Sequence, residues 1–315
     1  MFSNQTAELS LGMPIPAMDA LRADRGSSRF LVGTSSVRES EDNHLYFLKY
    51  YQDANQLATT ATLQHPTGPC LKIVTSPTDK SALLTIGEKT SNCSGGCTLW
   101  KMPSEITEQG NDDADLDFDR DEDDANHHNS GNAISMEEQF RLQSMETPAS
   151  VVDAAWRGGW DEEPSSHGDV MTLHADGTLT QWDVAFGANT ATRSDTQLSS
   201  SEKQKIQWNT PPRLAWDPHH ADITAVSTGT MVQVVDWRTD PSSSSSILSC
   251  PHHRFGVTDL DYNPNKPYML VTSGKDGLIK FWDLRKSTTN TNDVNASFDS
   301  TTPVPKKLKK LHPLL

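Results

Sequence analysis

Several groups of residues in this chain have side chains that could do chemistry. Thr272, His253 and Asp276 supply the hydroxyl, imidazole and carboxylate of a nucleophile–base–acid set. Such a set works only with its hydroxyl exposed beside an oxyanion hole, and no Gly-x-Ser-x-Gly, Walker A or His-Glu-x-x-His pattern accompanies it. Asp113, Asp115, Asp117, Asp119, Asp121 and Asp124 take positions 1, 3, 5, 7, 9 and 12 of a calcium loop. Phe118 stands where that loop needs Gly for its sharp turn, and no flanking helices are apparent, so a solvated acidic run fits better. Cys93 and Cys97 could open a zinc site, yet no Cys or His pair follows at zinc-finger spacing, and Cys250-Pro251-His252-His253 is distant. Lys306, Lys307, Lys309 and Lys310 read as an exposed basic end rather than an import or membrane signal. Asp236-Trp237-Arg238 and Asp283-Leu284-Arg285 share an Asp-x-Arg ending, which either pins a turn by a local ion pair or docks a partner. No catalytic residue, cofactor or metal is expected.

Composition narrows the classes further. The 315 residues include 42 Asp+Glu against 27 Lys+Arg, giving a net charge of −15, and only 34% are hydrophobic. Mean hydropathy is −0.60. Globular domains are ~45–50% apolar with Gly counted, so part of this chain is expected to lie outside any core. No run of 18 apolar residues suggests a spanning helix. The opening MFSNQTAELSLGM lacks the basic and apolar regions of a signal peptide. Four scattered Cys fit a reducing compartment, and the acidic balance argues against nucleic acid as a partner. Eleven acids and one base, Arg120, lie between Glu105 and Asp124, so residues 105–147 are expected to be an acidic disordered insertion. Ser242–Ser246, Asn189–Ser201 and Ser287–Thr302 are further low-complexity stretches.

The elements that would position these residues repeat along the chain. GGCTLWKM (95–102), DGTLTQWDV (176–184), GTMVQVVDWR (229–238) and DGLIKFWDLR (276–285) each run from a turn into alternating residues, and HLYFLKY (44–50) is a weaker copy. Aligning Trp100, Trp182, Val235 and Trp282 gives spacings of 82, 53 and 47 residues, the first lengthened by the acidic insertion. Upstream of each lies another strand pattern: Val257 to Tyr262 and Met269 to Thr272 before Trp282, Leu214 to Trp216 and Ile223 to Ser227 before Val235, Val151 to Trp156 and Val170 to Leu173 before Trp182. The reading is an all-β chain of four-stranded antiparallel units.

These repeats resemble the WD-repeat (WD40) β-propeller family, with ~40–45 residues per blade. The resemblance implies a structural tetrad of His253, Thr272, Asp276 and Trp282, which buries the trio named above inside one blade. In the Trp182 unit it finds Thr172 and Asp176 but no His, and it takes the Val235 unit to have lost both Trp and turn Asp. RFLVGTSS (29–36), LWKMPSE (99–105), WDPHHADITAVSTG (216–229) and DLDYNPNKPYMLVTSGKDGLIKFWDLRK (259–286) are similar to one WD-repeat subfamily, that of the EARP and GARP complex-interacting protein. That similarity implies a cytoplasmic, non-enzymatic scaffold, peripheral at endosomes or the trans-Golgi network. It would bind the EARP and GARP tethers in endosomal recycling and endosome-to-Golgi retrograde transport. Asp236, Arg238, Asp283 and Arg285 are candidate partner-binding residues, because the Asp-x-Arg ending also resembles the box of cullin-4 ubiquitin-ligase substrate receptors, the alternative function.

The expected organisation is a divergent N-terminal segment (1–28), first blades (29–104), the insertion (105–147), further blades (148–286) and a low-complexity tail with a basic end (287–315). About five blade-like units are counted where the family pattern has seven, so the chain is expected to be C-terminally truncated and its ring incomplete or open. If one blade contact buries roughly 400 Å² of apolar surface, each missing contact forfeits ~10 kcal/mol, against a domain stability of only ~5–15 kcal/mol. Association through open blade edges is therefore expected.

Overall fold

The computed structural model describes residues 6–36, 42–91, 95–108, 133–142, 150–157, 168–184, 192–197, 210–237, 250–251 and 253–286. The chain divides into two compact units, Met1–Met145 and Glu146–Leu315. Nearly all regular structure among the described residues is antiparallel strand, gathered into five small sheets.

The first unit holds two sheets. The first pairs β1 (Ala17–Ala20), β2 (Ser28–Gly33), β3 (His44–Tyr51) and β4 (Gln56–Gln64) in chain order. The second pairs β5 (Cys70–Thr75), β6 (Ala82–Gly87), β7 (Gly96–Lys101) and β8 (Glu137–Arg141), with the short helix α1 (Ser104–Glu108) after β7. The second unit holds three. The third sheet joins β9 (Val151–Trp156), β10 (Gly168–His174), β11 (Thr178–Val184) and β12 (Thr192–Gln197). The fourth joins β13 (Arg213–Trp216), β14 (Ile223–Thr228), β15 (Met231–Asp236) and β16 (Cys250–Pro251). The fifth is three-stranded, with β17 (Val257–Tyr262), β18 (Met269–Gly274) and β19 (Ile279–Asp283). The expected all-β chain of repeated units is therefore observed, and the weak copy at 44–50 is β3.

Alternation along each strand decides which face is buried, because successive side chains point to opposite sides of a sheet. Strands with apolar residues on both faces lie between two neighbours, as in β6, where every residue of ALLTIG is buried. In the first unit Leu31, Leu45 and Phe47 of the first sheet pack on Cys70, Ile73, Leu83 and Trp100 of the second. In the second unit Met171, Leu173 and Leu179 meet Leu214, Trp216 and Val226, and Ala225, Val232 and Val234 meet Val257, Leu260 and Leu270. Between β2 and β5 the fit is so close that a Cβ on Gly33 would stand 2.6 Å from Cys70 Sγ. That contact requires glycine.

The boundaries differ from those read off the sequence. Residues 105–147 do not form one insertion: Ser104–Glu108 is helical and Glu137–Arg141 is the fourth strand of the second sheet. Thr98 and Lys101 pair with Arg141 and Glu137, so a strand follows the acidic run and completes the sheet that precedes it. Ala17–Ala20, inside the expected divergent segment, is likewise the first strand of the first sheet. Thr192–Gln197, inside a polar stretch, pairs along β11. The dense acids from 112 to 124, Cys93, Arg238, Ser242–Ser246 and residues 287–315 lie outside the described residues.

Leu31 is fully buried between the first two sheets. Leu31→Ala is expected to cost about 2–5 kcal/mol in urea unfolding, and a loss under 1 kcal/mol would show that those sheets do not share a core.

Candidate functional site

The polar residues inside the sheets form directional chains. A tryptophan indole can only donate, so the hydroxyl it meets must accept and turn its own hydrogen elsewhere. In the fifth sheet Trp282 Nε1 donates to Thr272 Oγ1 at 3.0 Å. Thr272 Oγ1 lies 2.9 Å from His253 Nε2, which accepts its proton, and His253 Nδ1 donates to Asp276 Oδ1 at 2.8 Å. The structure thus brings together His253, Thr272, Asp276 and Trp282. Burial by itself raises the Asp276 carboxyl, but the bonds from His253 and from the Leu278 and Arg254 amides outweigh it and hold the group below its ordinary range. Gly274 makes room for this arrangement, since a Cβ there would stand 2.1 Å from His253 Nδ1. The Thr272 hydroxyl is fully buried and committed on both sides, so it cannot attack a substrate.

Sequence reading missed an equivalent chain in the second sheet. Trp100 Nε1 donates to Thr85 Oγ1 at 2.8 Å, Thr85 Oγ1 lies 2.9 Å from His65 Nε2, and His65 Nδ1 donates to the Gly68 carbonyl at 2.7 Å. The Gly68 carbonyl replaces the carboxylate. A signal did exist: His65 precedes Thr85 by 20 residues, as His253 precedes Thr272 by 19. Burial pushes the His65 imidazolium down to about 4, against a smaller opposing effect of the Gly68 bond.

The third and fourth sheets keep part of the chain. Trp182 Nε1 donates to Thr172 Oγ1 at 2.9 Å, and His174 Nε2 sits 3.2 Å from Thr180 Oγ1. Asp176 accepts the Thr178 amide at 2.9 Å across the turn. In the fourth sheet the position aligned above at Val235 belongs to Trp237. Thr85, Thr172 and Thr272 lie opposite Thr98, Thr180 and Lys280, each two residues before the tryptophan. Thr224 lies opposite Val235, and Trp237 Nε1 donates to Thr224 Oγ1 at 3.1 Å. The fourth sheet has not lost its tryptophan.

The first strands of adjacent sheets are tied by a second device, also missed. Asp19 Oδ1 accepts the next amide, Ala20 N, at 3.0 Å, and its Oδ2 accepts Thr75 N on β5 at 2.8 Å. Asp153 does the same, taking Ala154 N on Oδ1 at 2.8 Å and Leu214 N on Oδ2 at 2.9 Å. From the fourth sheet Arg213, the first residue of β13, donates from Nε to the Thr258 carbonyl on β17 at 3.4 Å. A third polar cluster holds the first unit. Arg29 pairs with Asp24 and donates to the Thr107 carbonyl of α1 at 3.2 Å, and Lys80 reaches Asp24 at 3.1 Å. Burial alone would raise the Asp24 carboxyl, but Ser27, Lys80 and Arg29 together bring it to about 2.

The candidate partner-binding residues are only partly visible. Arg285 grips its own Asp283 in a fork, Nε to Oδ1 at 2.9 Å and Nη2 to Oδ2 at 2.8 Å, with the Arg285 amide also on Asp283. That is the turn-fixing geometry. Asp236 ends β15, and Arg238 lies outside the described residues. Cys97 is buried, and among the described residues no cluster of His, Cys, Asp and Glu could hold a metal ion. No helix among them is long and apolar enough to cross a membrane.

A family model for the EIPR1 beta-propeller matches residues 143–304, the third to fifth sheets. The chain belongs to the EIPR1 beta-propeller family. Its relatives include the EARP and GARP complex-interacting protein 1 of Rattus norvegicus, 30% identical over 86% of this chain and 64% of that protein. The EARP-interacting protein homolog of Gekko japonicus is 28% identical over 85% of this chain and 63% of its own length. The chain thus spans less than two thirds of these EIPR1-family relatives. The fold is similar to a chain of the structure "COPII on membranes, outer coat vertex", with TM-score 0.57 and 14% identity over 86% of this chain and 58% of that one. For this EIPR1-family chain the buried chains are blade locks.

Two outcomes check these assignments. Trp237→Phe is expected to cost about 0.5–1.5 kcal/mol in urea unfolding, and Trp237→Phe with Thr224→Val less than the sum of the two; additive costs would separate the two residues. His65 binds its proton at about 4 folded and about 6.5 unfolded. As pH falls through that window the unfolded chain takes up a proton that the folded chain refuses, so stability is retained above 6.5 and lost toward 4. The full loss is about 3 kcal/mol, of which roughly 1 has gone by pH 5.5; His65→Gln should remove this slope.

Proposed function

We propose that this chain is a non-enzymatic WD-repeat scaffold that binds the EARP and GARP tethering complexes. On this reading it supports endosomal recycling and endosome-to-Golgi retrograde transport, cytoplasmic and peripheral at endosomes or the trans-Golgi network. The observation that carries the proposal is the alignment with EARP- and GARP-interacting relatives over about 85% of the chain. The side-chain chemistry is consistent with it. Thr272 and Thr85, the hydroxyls nearest an imidazole in a catalytic-looking set, are buried and spent on strand register.

Partner contact is assigned to the turns beside Asp176, Gly229 and Asp276. Phe255 next to the last of these is 57% exposed, with the Arg254 guanidinium 5.2 Å from its ring centroid, and exposed aromatic–arginine pairs are frequent binding anchors. The test is biolayer interferometry of the full chain against purified EARP and GARP complexes, with the cullin-4 adaptor as comparison. Saturable binding to the tethers, weakened about tenfold or more by Phe255→Ala at unchanged melting temperature, is expected. Binding to the adaptor alone would replace this reading with the ligase one, and Arg285→Ala should then abolish it.

A further inference from the structure

The connection that enters the fifth sheet is held by its backbone and presents two large side chains to solvent. His253 N donates to the Thr230 carbonyl at 3.2 Å and Val257 N to the Gly229 carbonyl at 2.8 Å, both on the turn between β14 and β15. Gly256 N closes the connection on the His253 carbonyl at 3.4 Å. Gly256 has a φ of 110°, and a Cβ there would stand 2.8 Å from Thr210 Oγ1, so the chain lies close against the residues leading into the fourth sheet. The turn thus belongs to the joint between the fourth and fifth sheets, not to the far face of the fifth. Between these fixed points Arg254 and Phe255 are both exposed.

The turn between β18 and β19 stands beside it. Lys275 N donates to the Gly256 carbonyl at 3.0 Å, which sets the exposed Lys275 next to the residue that follows Phe255. Asp276 is the one acid within residues 253–256 and 273–278, and it is occupied. Its Oδ1 takes His253 Nδ1 at 2.8 Å and the Leu278 amide at 3.2 Å, and its Oδ2 takes the Arg254 amide at 3.3 Å. The patch is therefore cationic around an aromatic ring, in a chain whose net charge is −15. The Arg254 guanidinium lies over the Phe255 ring, and a cation so placed still has N–H groups to give a carboxylate.

We infer that Arg254, Phe255 and Lys275 dock an acidic segment of a partner protein that carries an aromatic residue between carboxylates. The aromatic ring packs on Phe255, one carboxylate takes the Arg254 guanidinium and another the Lys275 ammonium. A planar guanidinium matches a carboxylate in a fork, and an exposed phenyl ring gains most from another ring. A nucleic acid or an anionic membrane would extend its charge far beyond two cations and be repelled by the net charge of −15, whereas a short segment brings only a few carboxylates. Because the backbone of both turns is already fixed, little ordering is left to be done on binding. The inference rests on the proposed use of these turns for partner contact and adds the chemistry of the segment they receive.

The probe is a labelled peptide, Gly-Glu-Asp-Phe-Asp-Glu-Gly, with Gly-Gln-Asn-Phe-Asn-Gln-Gly as its neutral counterpart. Binding to the full chain is read by fluorescence anisotropy and located by amide hydrogen exchange. Saturable binding of the acidic peptide is expected, weakening as salt rises, with protection at residues 253–257 and 274–278. Arg254→Gln and Phe255→Ala should each weaken it about tenfold or more at unchanged melting temperature, and Lys275→Gln should weaken it independently. No saturable binding, equal binding of the neutral peptide, or protection confined to other segments would overturn the inference. So would binding that appears only once the acids of residues 112–124 are replaced by Asn, which makes the chain's own acidic run the occupant. A dimer in analytical ultracentrifugation that Phe255→Ser dissolves would overturn it in favour of a second copy. If Phe255→Ala weakens tether binding while the peptide fails to bind, this inference falls and the tether reading stands; peptide binding without tether binding supports the inference and removes the tether reading.

Discussion

The hydrogen of the tryptophan indole sets the direction of the polar chains in these sheets. Because Nε1 can only donate, Thr85 and Thr272 accept from it, and the same hydroxyls stand within hydrogen-bond distance of a histidine Nε2 whose Nδ1 meets a second acceptor. The last acceptor is then free to vary. The fifth sheet uses the Asp276 carboxylate and the second uses the Gly68 carbonyl. Two strands and the adjoining loops are fixed by one sequence of bonds, each made where an unpaired polar atom would cost about 1–3 kcal/mol. A set that looks reactive on paper is enclosed within the sheet, as its hydroxyl is fully buried and already bonded to the tryptophan and the histidine.

Locks of this kind hold the second and fifth sheets, and in part the third and fourth, but they do not join one sheet to the next. Within each unit that join is made by apolar packing between faces and by polar residues of the first strands. Asp19 and Asp153 accept an amide across the gap, and Arg213 donates to a carbonyl. Each fixes the height of one strand against its neighbour, which apolar contact alone leaves loose because it has no direction. Asp259 repeats the first half of this contact by accepting the Leu260 amide.

Membership of the EIPR1 beta-propeller family rests on the last three sheets, while alignment to longer relatives runs through both units. Three buried or partly buried ionisable groups are held by their surroundings: His65 is pushed down to about 4 by burial, Asp24 is bonded by Ser27, Arg29 and Lys80, and Cys70 is pushed up to about 12 by burial.

The amino-acid order determined the all-β class and the repeated units, because alternation is written in side chains, and the resemblance of those units to a known repeat family pointed to the tetrad of the fifth sheet. Tertiary structure alone decided which residue of the fourth sheet joins Thr224. Val235 and Trp237, the latter just past the end of β15, lie two apart, and periodicity cannot separate them; the register of Thr224 opposite Val235 and the Trp237 bond to Thr224 do. The chain at His65 was hidden because its last acceptor, the Gly68 carbonyl, is backbone and leaves no letter in the sequence. The strand Glu137–Arg141 was hidden for another reason. Its polar residues carry no apolar alternation, and only pairing with β7 across a long acidic run makes it a strand.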